Sequence, residues 1–284
     1  MQGQVYVITS GKGGVGKTTA TANIGSALAL AGHRVLVIDA DIGLRNLDVV
    51  MGLENRIVYD LVQVIEGRCQ PRQAMIRDKL TDRLFLIPAA QTRDKNAVTA
   101  DQMRTLCNDL KTQFDYILID SPAGIEQGFK NALAPAERAI VVTTPEVSAI
   151  RDADRVIGII ESEGLPSPKL IVNRIRPEMV KRGDMMSTDD ILSLLSVDLV
   201  GLVPDSEDIV VSTNKGVPIV HESRSRVGEA YRRIAARLDG KEVPFLEMEV
   251  KNGLFARLKR LVGFKTKVAE ADQVRVGPVE EGTR

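Results

Sequence analysis

Cysteine is nearly missing from this chain. Only Cys69 and Cys107 occur in its 284 residues, far apart and with no C-x-x-C pair, which excludes a disulfide framework and offers no zinc-ligand spacing. Net charge is missing as well. The 38 Lys plus Arg balance 38 Asp plus Glu, so no global excess points to nucleic acid, and only a local patch could do so. No apolar run approaches the about 20 residues of a membrane span. The opening "MQGQVYVITS" enters an apolar run with neither a basic leader nor a cleavage site, so the reading is a soluble, cytoplasmic chain. What is present suits a core: 44% hydrophobic residues over this length fit one large α/β domain.

Apolar, β-branched runs alternate with segments of helical period. Strands are expected at 4–9, 34–39, 84–88, 116–120, 139–144, 169–173 and 199–203, each apolar on both faces and therefore parallel. Helices are expected between them, at 17–31, 57–66, 99–113, 125–134, 148–163, 188–196 and 226–238. Such alternation needs crossover helices on both faces of a sheet, which is a doubly wound α/β fold. The organisation read from this is a domain at 1–240, a polar linker at 241–251, a basic and apolar segment at 252–267 and a disordered tail at 268–284.

"SGKGGVGKTT" carries the first chemistry. Gly11, Lys12, Gly13, Gly14, Val15, Gly16, Lys17 and Thr18 fit G-x-x-x-x-G-K-[ST], directly after an expected strand and opening an expected helix, with Thr19 next in line. Glycines let successive N–H groups wrap a phosphate, and the helix N-terminus adds its positive end. Lys17 would reach the β- and γ-phosphates of ATP, and the Thr18 hydroxyl would ligate Mg²⁺. Ligands of open α/β sheets bind beyond the carboxyl ends of the strands, and "VIDADIG" and "ILIDSPAG" place Asp39, Asp41 and Asp120 there. Asp120 has the position of a Walker B acid, with Asp39 in the same candidate metal set, and Gly124 frees the following loop to move with the γ-phosphate. A P-loop NTPase with a mostly parallel, doubly wound central sheet flanked by helices is the resulting fold class.

The second lysine of "KGGVGKTT" resembles the deviant Walker A signature of the MinD/ParA class of ATPases. "DADIGLRNLDVVMG", "VYDLV", "PAAQTRDK", "DSPAGIE", "PEVSAIRDADR" and "RGDM" extend that resemblance over roughly residues 3–265, toward its cell-division branch. The resemblance implies ATP hydrolysis coupled to homodimerisation, reversible membrane attachment, and placement of the division septum with MinC and MinE as partners. It also implies roles. Lys12 crosses the dimer interface to the partner's phosphates, which fits the repulsion it would meet if it shared one loop's phosphates with Lys17. Asp41 orients the attacking water, and Asn46 lies in the dimer-facing segment beside the nucleotide. Asn173 reads adenine with Pro204 of "VPDS" as the other wall, and Asp152 and Asp154 belong to the surface for which partners compete. Turnover should be slow without the dimer.

Three functional classes remain open at this point. An iron–sulfur ATPase of the nitrogenase-reductase type needs cysteine near the switch loops, and Cys69 and Cys107 lie outside every motif. A DNA-segregation ATPase needs a basic surface on the domain. Here the basic run is at the C-terminal end. From Lys251 to Lys267 there are six basic residues and no acidic one. At about 100° per residue Leu254, Phe255, Leu258, Leu261 and Val262 form one stripe, flanked by Arg257, Lys259 and Arg260. An amphipathic helix that lies on anionic lipid is expected, with the protein cycling between the cytoplasm and the inner membrane and no nucleic acid as partner.

Overall fold

A computed structural model describes residues 3–94 and 97–248. The chain runs β1 (Gln4–Thr9), α1 (Lys17–Leu30), β2 (Val35–Asp39), α2 (Leu47–Met51), α3 (Leu61–Ile65), α4 (Pro71–Ala74), β3 (Ile76–Arg77) and β4 (Leu84–Ile87). It continues α5 (Ala100–Leu110), β5 (Tyr116–Asp120), α6 (Gln127–Leu133), β6 (Arg138–Thr143), α7 (Val147–Ser162), β7 (Lys169–Ile175), α8 (Pro177–Arg182), α9 (Thr188–Leu195), β8 (Asp198–Pro204), α10 (Asp208–Asn214) and α11 (Arg226–Leu238). The eight strands form one sheet in the order β3-β4-β2-β5-β1-β6-β7-β8, parallel except for β3 against β4.

Alternation along each strand builds two cores. Tyr6, Ile8, Val37, Leu118 and Ile140 pack on one face of the sheet with α1 and α11. Val5, Val7, Ile38, Ile119 and Val141 pack on the other with α5, α6 and α7. Period-two side chains buried on both faces are what a parallel sheet covered twice requires. Every strand expected between 4 and 203 and every helix expected between 17 and 238 is found within a few residues of its expected ends. Helix starts follow local chemistry: Asp60 with Gln63, Thr99 with Gln102 and Ser187 with Asp190 form reciprocal caps for α3, α5 and α9.

The elements not anticipated are short. Helices α2, α4, α8 and α10 have four to seven residues, too few to display a helical period, and β3 has two. Residues 241–248, expected as a linker, lie against α11, with Leu246 buried. The expected helix at 252–267, with Leu254, Phe255, Leu258, Leu261 and Val262, and the tail at 268–284 lie outside the described residues. Among the described residues no helix is long and apolar enough to cross a membrane.

Candidate nucleotide site

Strand β1 is the middle of the sheet and the place where strand order reverses, so the loop leaving it opens at the switch point of the fold. That loop is 10–16. Gly16, at φ 99°, caps α1 in a left-handed conformation that side chains disfavour, and a Cβ there would stand 2.3 Å from Asn173 Nδ2. Gly11 is needed for another reason: a Cβ on it would meet the Asp152 carbonyl oxygen at 2.2 Å, because the loop lies directly on α7. Gly13 and Gly14 are exposed, Val15 is buried, and Thr18 and Thr19 are half-buried at the head of α1.

Lys17 is 7% exposed and its Nζ donates to Asp120 Oδ1 at 3.0 Å. Thr21 Oγ1, one helical turn on, donates to the same oxygen at 3.0 Å. Sequence reasoning missed Thr21, although its i+4 spacing from Lys17 was a usable signal. Asp39 and Asp120 are register partners on β2 and β5, so two buried carboxylates stand on neighbouring strands. Burial, and then the charge of Asp120, push the Asp39 carboxyl up to about 7, against N–H donors from Asp41 and Leu47 and the Lys17 ammonium.

Asp39 also folds the segment after β2. Its Oδ1 accepts the Asp41 N–H at 3.0 Å, and its Oδ2 accepts the Asn46 and Leu47 N–H groups at 3.2 Å each. Residues 39–47 therefore wrap one carboxylate, which places Asp41 half-buried at the rim and Asn46 exposed at the start of α2. Sequence position put Asp39 among metal candidates; here both of its oxygens already serve backbone donors.

The charges fit a divalent cation held with phosphate. One buried ammonium faces two carboxylates, and among the described residues no group of three or more His, Cys, Asp or Glu could hold a metal by itself. Mg²⁺ commonly takes one or two protein ligands together with substrate phosphates and water. Thr18, half-buried at the head of α1, and buried Asp120 are the residues that could supply them.

Lys12 points away from this pocket. Its side chain is 46% exposed, and Nζ lies 3.2 Å from Ser148 Oγ and 3.8 Å from Glu146 Oε2, at the N-terminal end of α7. Neither Glu146 nor Ser148 was singled out from sequence, although both stand in "PEVSAIRDADR". Asp152 and Asp154 follow on the same helix, half-buried and exposed respectively.

Asn173 sits at a bulge of β7, where Arg174 adopts φ 57° and the register to β8 slips between Val172 and Ile175. Its Nδ2 donates to the Val15 carbonyl at 2.7 Å and its Oδ1 accepts the Arg174 N–H at 2.9 Å. The amide expected at adenine is here a buttress of the P-loop. Pro204 ends β8 opposite Ile175, two residues beyond Asn173 on the neighbouring strand. Cys107 is buried in α5 with its thiol pushed up to about 12, remote from a thiolate ligand.

The CobQ/CobB/MinD/ParA nucleotide binding domain family matches residues 6–219. The chain is 54% identical over 267 residues to the septum site-determining protein MinD of Bacillus subtilis, covering 93% of this chain and 100% of that one. It resembles the MinC:MinD cell division protein complex of Aquifex aeolicus with a TM-score of 0.80 and 50% identity, over 85% of this chain and 98% of that one. It also resembles the septum site-determining protein MinD complexed with Mg-ADP from Pyrococcus horikoshii, with a TM-score of 0.76 and 28% identity over 83% and 96% of the two chains.

Proposed function

Since the chain belongs to the MinD group of the CobQ/CobB/MinD/ParA nucleotide-binding family, we propose that it is an ATPase that dimerises on ATP and attaches reversibly to anionic membrane. In this reading it places the division septum by recruiting MinC, under control of MinE. The observation that carries the reading is the divergence of the two signature lysines. Lys17 is turned into the pocket toward Asp120, while Lys12 stands outside on the N-terminal end of α7, where a second protomer can offer it a phosphate.

In the reaction, the N–H groups of 13–18 and the Lys17 ammonium grip the β- and γ-phosphates. Thr18 and Asp120 would hold Mg²⁺, which would supply positive charge against the phosphate oxygens. Asp41, held by the Asp39 carboxylate through its own N–H, orients water for in-line attack on the γ-phosphorus. Lys12 of each protomer completes the other's charge stabilisation, so hydrolysis awaits the dimer. Asn173 turns from Val15 to adenine only when the loop closes on nucleotide. The complex known for the Aquifex relative supports MinC as a partner, and Asp152 and Asp154 on α7 are the proposed contact. The basic stripe at 252–267 supports the lipid surface, and no nucleic acid is required.

Size-exclusion chromatography tests the central claim. Lys12→Ala should bind ATP nearly as well as the parent yet elute as a monomer with ATP and release little phosphate. A normal ATP-dependent dimer of Lys12→Ala would overturn the cross-subunit role.

A further inference from the structure

Asp120 divides its two oxygens unequally. Lys17 Nζ and Thr21 Oγ1 both donate to Oδ1, at 3.0 Å each, while among the described residues no group donates to Oδ2. The two donors differ in kind. Lys17 carries its ammonium on a flexible four-carbon stem from the first residue of α1, and that ammonium is also the group that grips phosphate. Thr21 is fixed. It stands one turn further along a 14-residue helix, it is 0% exposed, and its short β-branched side chain has no reach beyond the contacts it makes.

The Thr21 hydroxyl has two acceptors for one hydrogen. Oγ1 lies 3.1 Å from the Lys17 carbonyl, four residues back in the helix, and 3.0 Å from Asp120 Oδ1. Turning the O–H from one to the other moves the hydrogen alone. With Lys17 on Oδ1, the carboxylate has a charged donor and the hydroxyl is shared. With Lys17 on phosphate, Thr21 is what remains. Asp120 is 1% exposed, so water has little access to it. Asp39, its register partner, offers no donor, and its own oxygens accept the N–H groups of Asp41, Asn46 and Leu47. The adjacent Ser121 hydroxyl is spent on the Pro122 carbonyl at 2.9 Å.

We propose that Thr21 is a positioning residue of the ATPase site: its hydroxyl takes over Asp120 Oδ1 when Lys17 leaves the carboxylate for nucleotide phosphate, and so makes that exchange less costly. The proposal rests on the nucleotide reading above, which assigns Lys17 to phosphate and gives Thr21 no role. Loss of the hydroxyl touches the two states unequally. The empty protein keeps its Lys17–Asp120 pair, whereas the bound protein is left with a buried carboxylate and no donor. A hydrogen bond to a charged group is worth about tenfold or more in an equilibrium constant. Nucleotide affinity therefore falls, while the stability of the empty protein changes little.

Thr21→Val keeps the shape and removes the hydroxyl; Thr21→Ser keeps the hydroxyl and removes the methyl. ATP titrated calorimetrically into the full chain in EDTA reads the exchange with no cation to offer Asp120 another partner, and far-ultraviolet circular dichroism reads the empty fold. Thr21→Val should bind ATP about tenfold more weakly than the parent yet unfold within a few degrees of it without nucleotide. Thr21→Ser should bind within about twofold of the parent, since the donor is kept. Equal affinity of Thr21→Val and parent would refute the exchange, and so would a midpoint far below the parent's with no loss of affinity, which marks a purely structural hydroxyl. Thr21→Ser as weak as Thr21→Val would assign the effect to the methyl and overturn the proposal. If Thr21→Val does not fold, Thr21→Ala carries the same comparison. A parent chain that binds no ATP overturns the nucleotide reading and the exchange together, whereas a parent that binds beside an unaffected Thr21→Val overturns the exchange alone.

Discussion

Asp120→Asn keeps the shape of a buried side chain and its acceptor for Thr21, but removes a charge 3.0 Å from the Lys17 ammonium. Both partners are nearly inaccessible, at 7% and 1% exposure, so water cannot replace the lost carboxylate. Removing one member of a buried pair costs about 3–5 kcal/mol. The low end applies here, because Asp39, the cross-strand neighbour, is relieved of a like charge, ionises more readily and takes over part of the attraction to Lys17. In a domain of this size, about 3 kcal/mol lowers the unfolding midpoint by roughly 6–12 °C. ATP with EDTA gives Lys17 phosphate oxygens as partners in place of the carboxylate. The stabilising shift on adding ATP should therefore be larger for Asp120→Asn than for the parent. The chain has no tryptophan, so thermal unfolding is best followed by far-ultraviolet circular dichroism. Equal midpoints of variant and parent without nucleotide, or equal increments with ATP, would show that the Lys17–Asp120 pair does not govern the pocket.

Three further outcomes follow from the same residues. Asp41→Ala should trap an ATP-bound dimer with little phosphate release, since the phosphate grip is intact and the water is not oriented; normal turnover would remove Asp41 from the reaction. Asp39 titrates at about 7 in the fold and about 4 when unfolded. Its contribution to stability is thus complete below about pH 4 and is lost as pH rises through 7, so urea midpoints of Asp39→Asn should depend less on pH across that window, and parallel profiles would contradict the assignment. Gly11→Ala drives a methyl to 2.2 Å from the Asp152 carbonyl, an overpacking worth about 1–3 kcal/mol, and should weaken fluorescent ADP binding about tenfold with α7 displaced; unaltered affinity would mean the loop does not rest on that helix.

Much of the fold was legible because its signals are local. β-branched runs buried on both faces show parallel strands, and Asp60, Thr99 and Ser187 each announce a helix with a partner three residues on. The phosphate loop was legible for a similar reason: its glycines, lysine and threonine are consecutive, and the chemistry lies in the spacing. Helices such as α2 and α10, of five and seven residues, carry no full period and exist through what they pack on. Residues 241–248 read as part of a linker, since a segment with few apolar residues shows nothing else until the arginines that bind its carbonyls are seen beside it.

The sequence by itself determined that this chain has a P-loop, two signature lysines and three acids at two strand ends, because each is written in a contiguous stretch whose conformation depends on its own residues. Only the tertiary structure decided how those parts divide the work. Sheet order buries Asp39 and brings it beside Asp120 from 81 positions away, so that burial first and the neighbouring charge second raise the pKa of its carboxyl. The packing of α7 on the loop sends Lys12 outward to Glu146 and Ser148 while Lys17 turns inward. Burial and through-space charge depend on which strands and helices are neighbours, and no contiguous stretch of sequence encodes that neighbourhood.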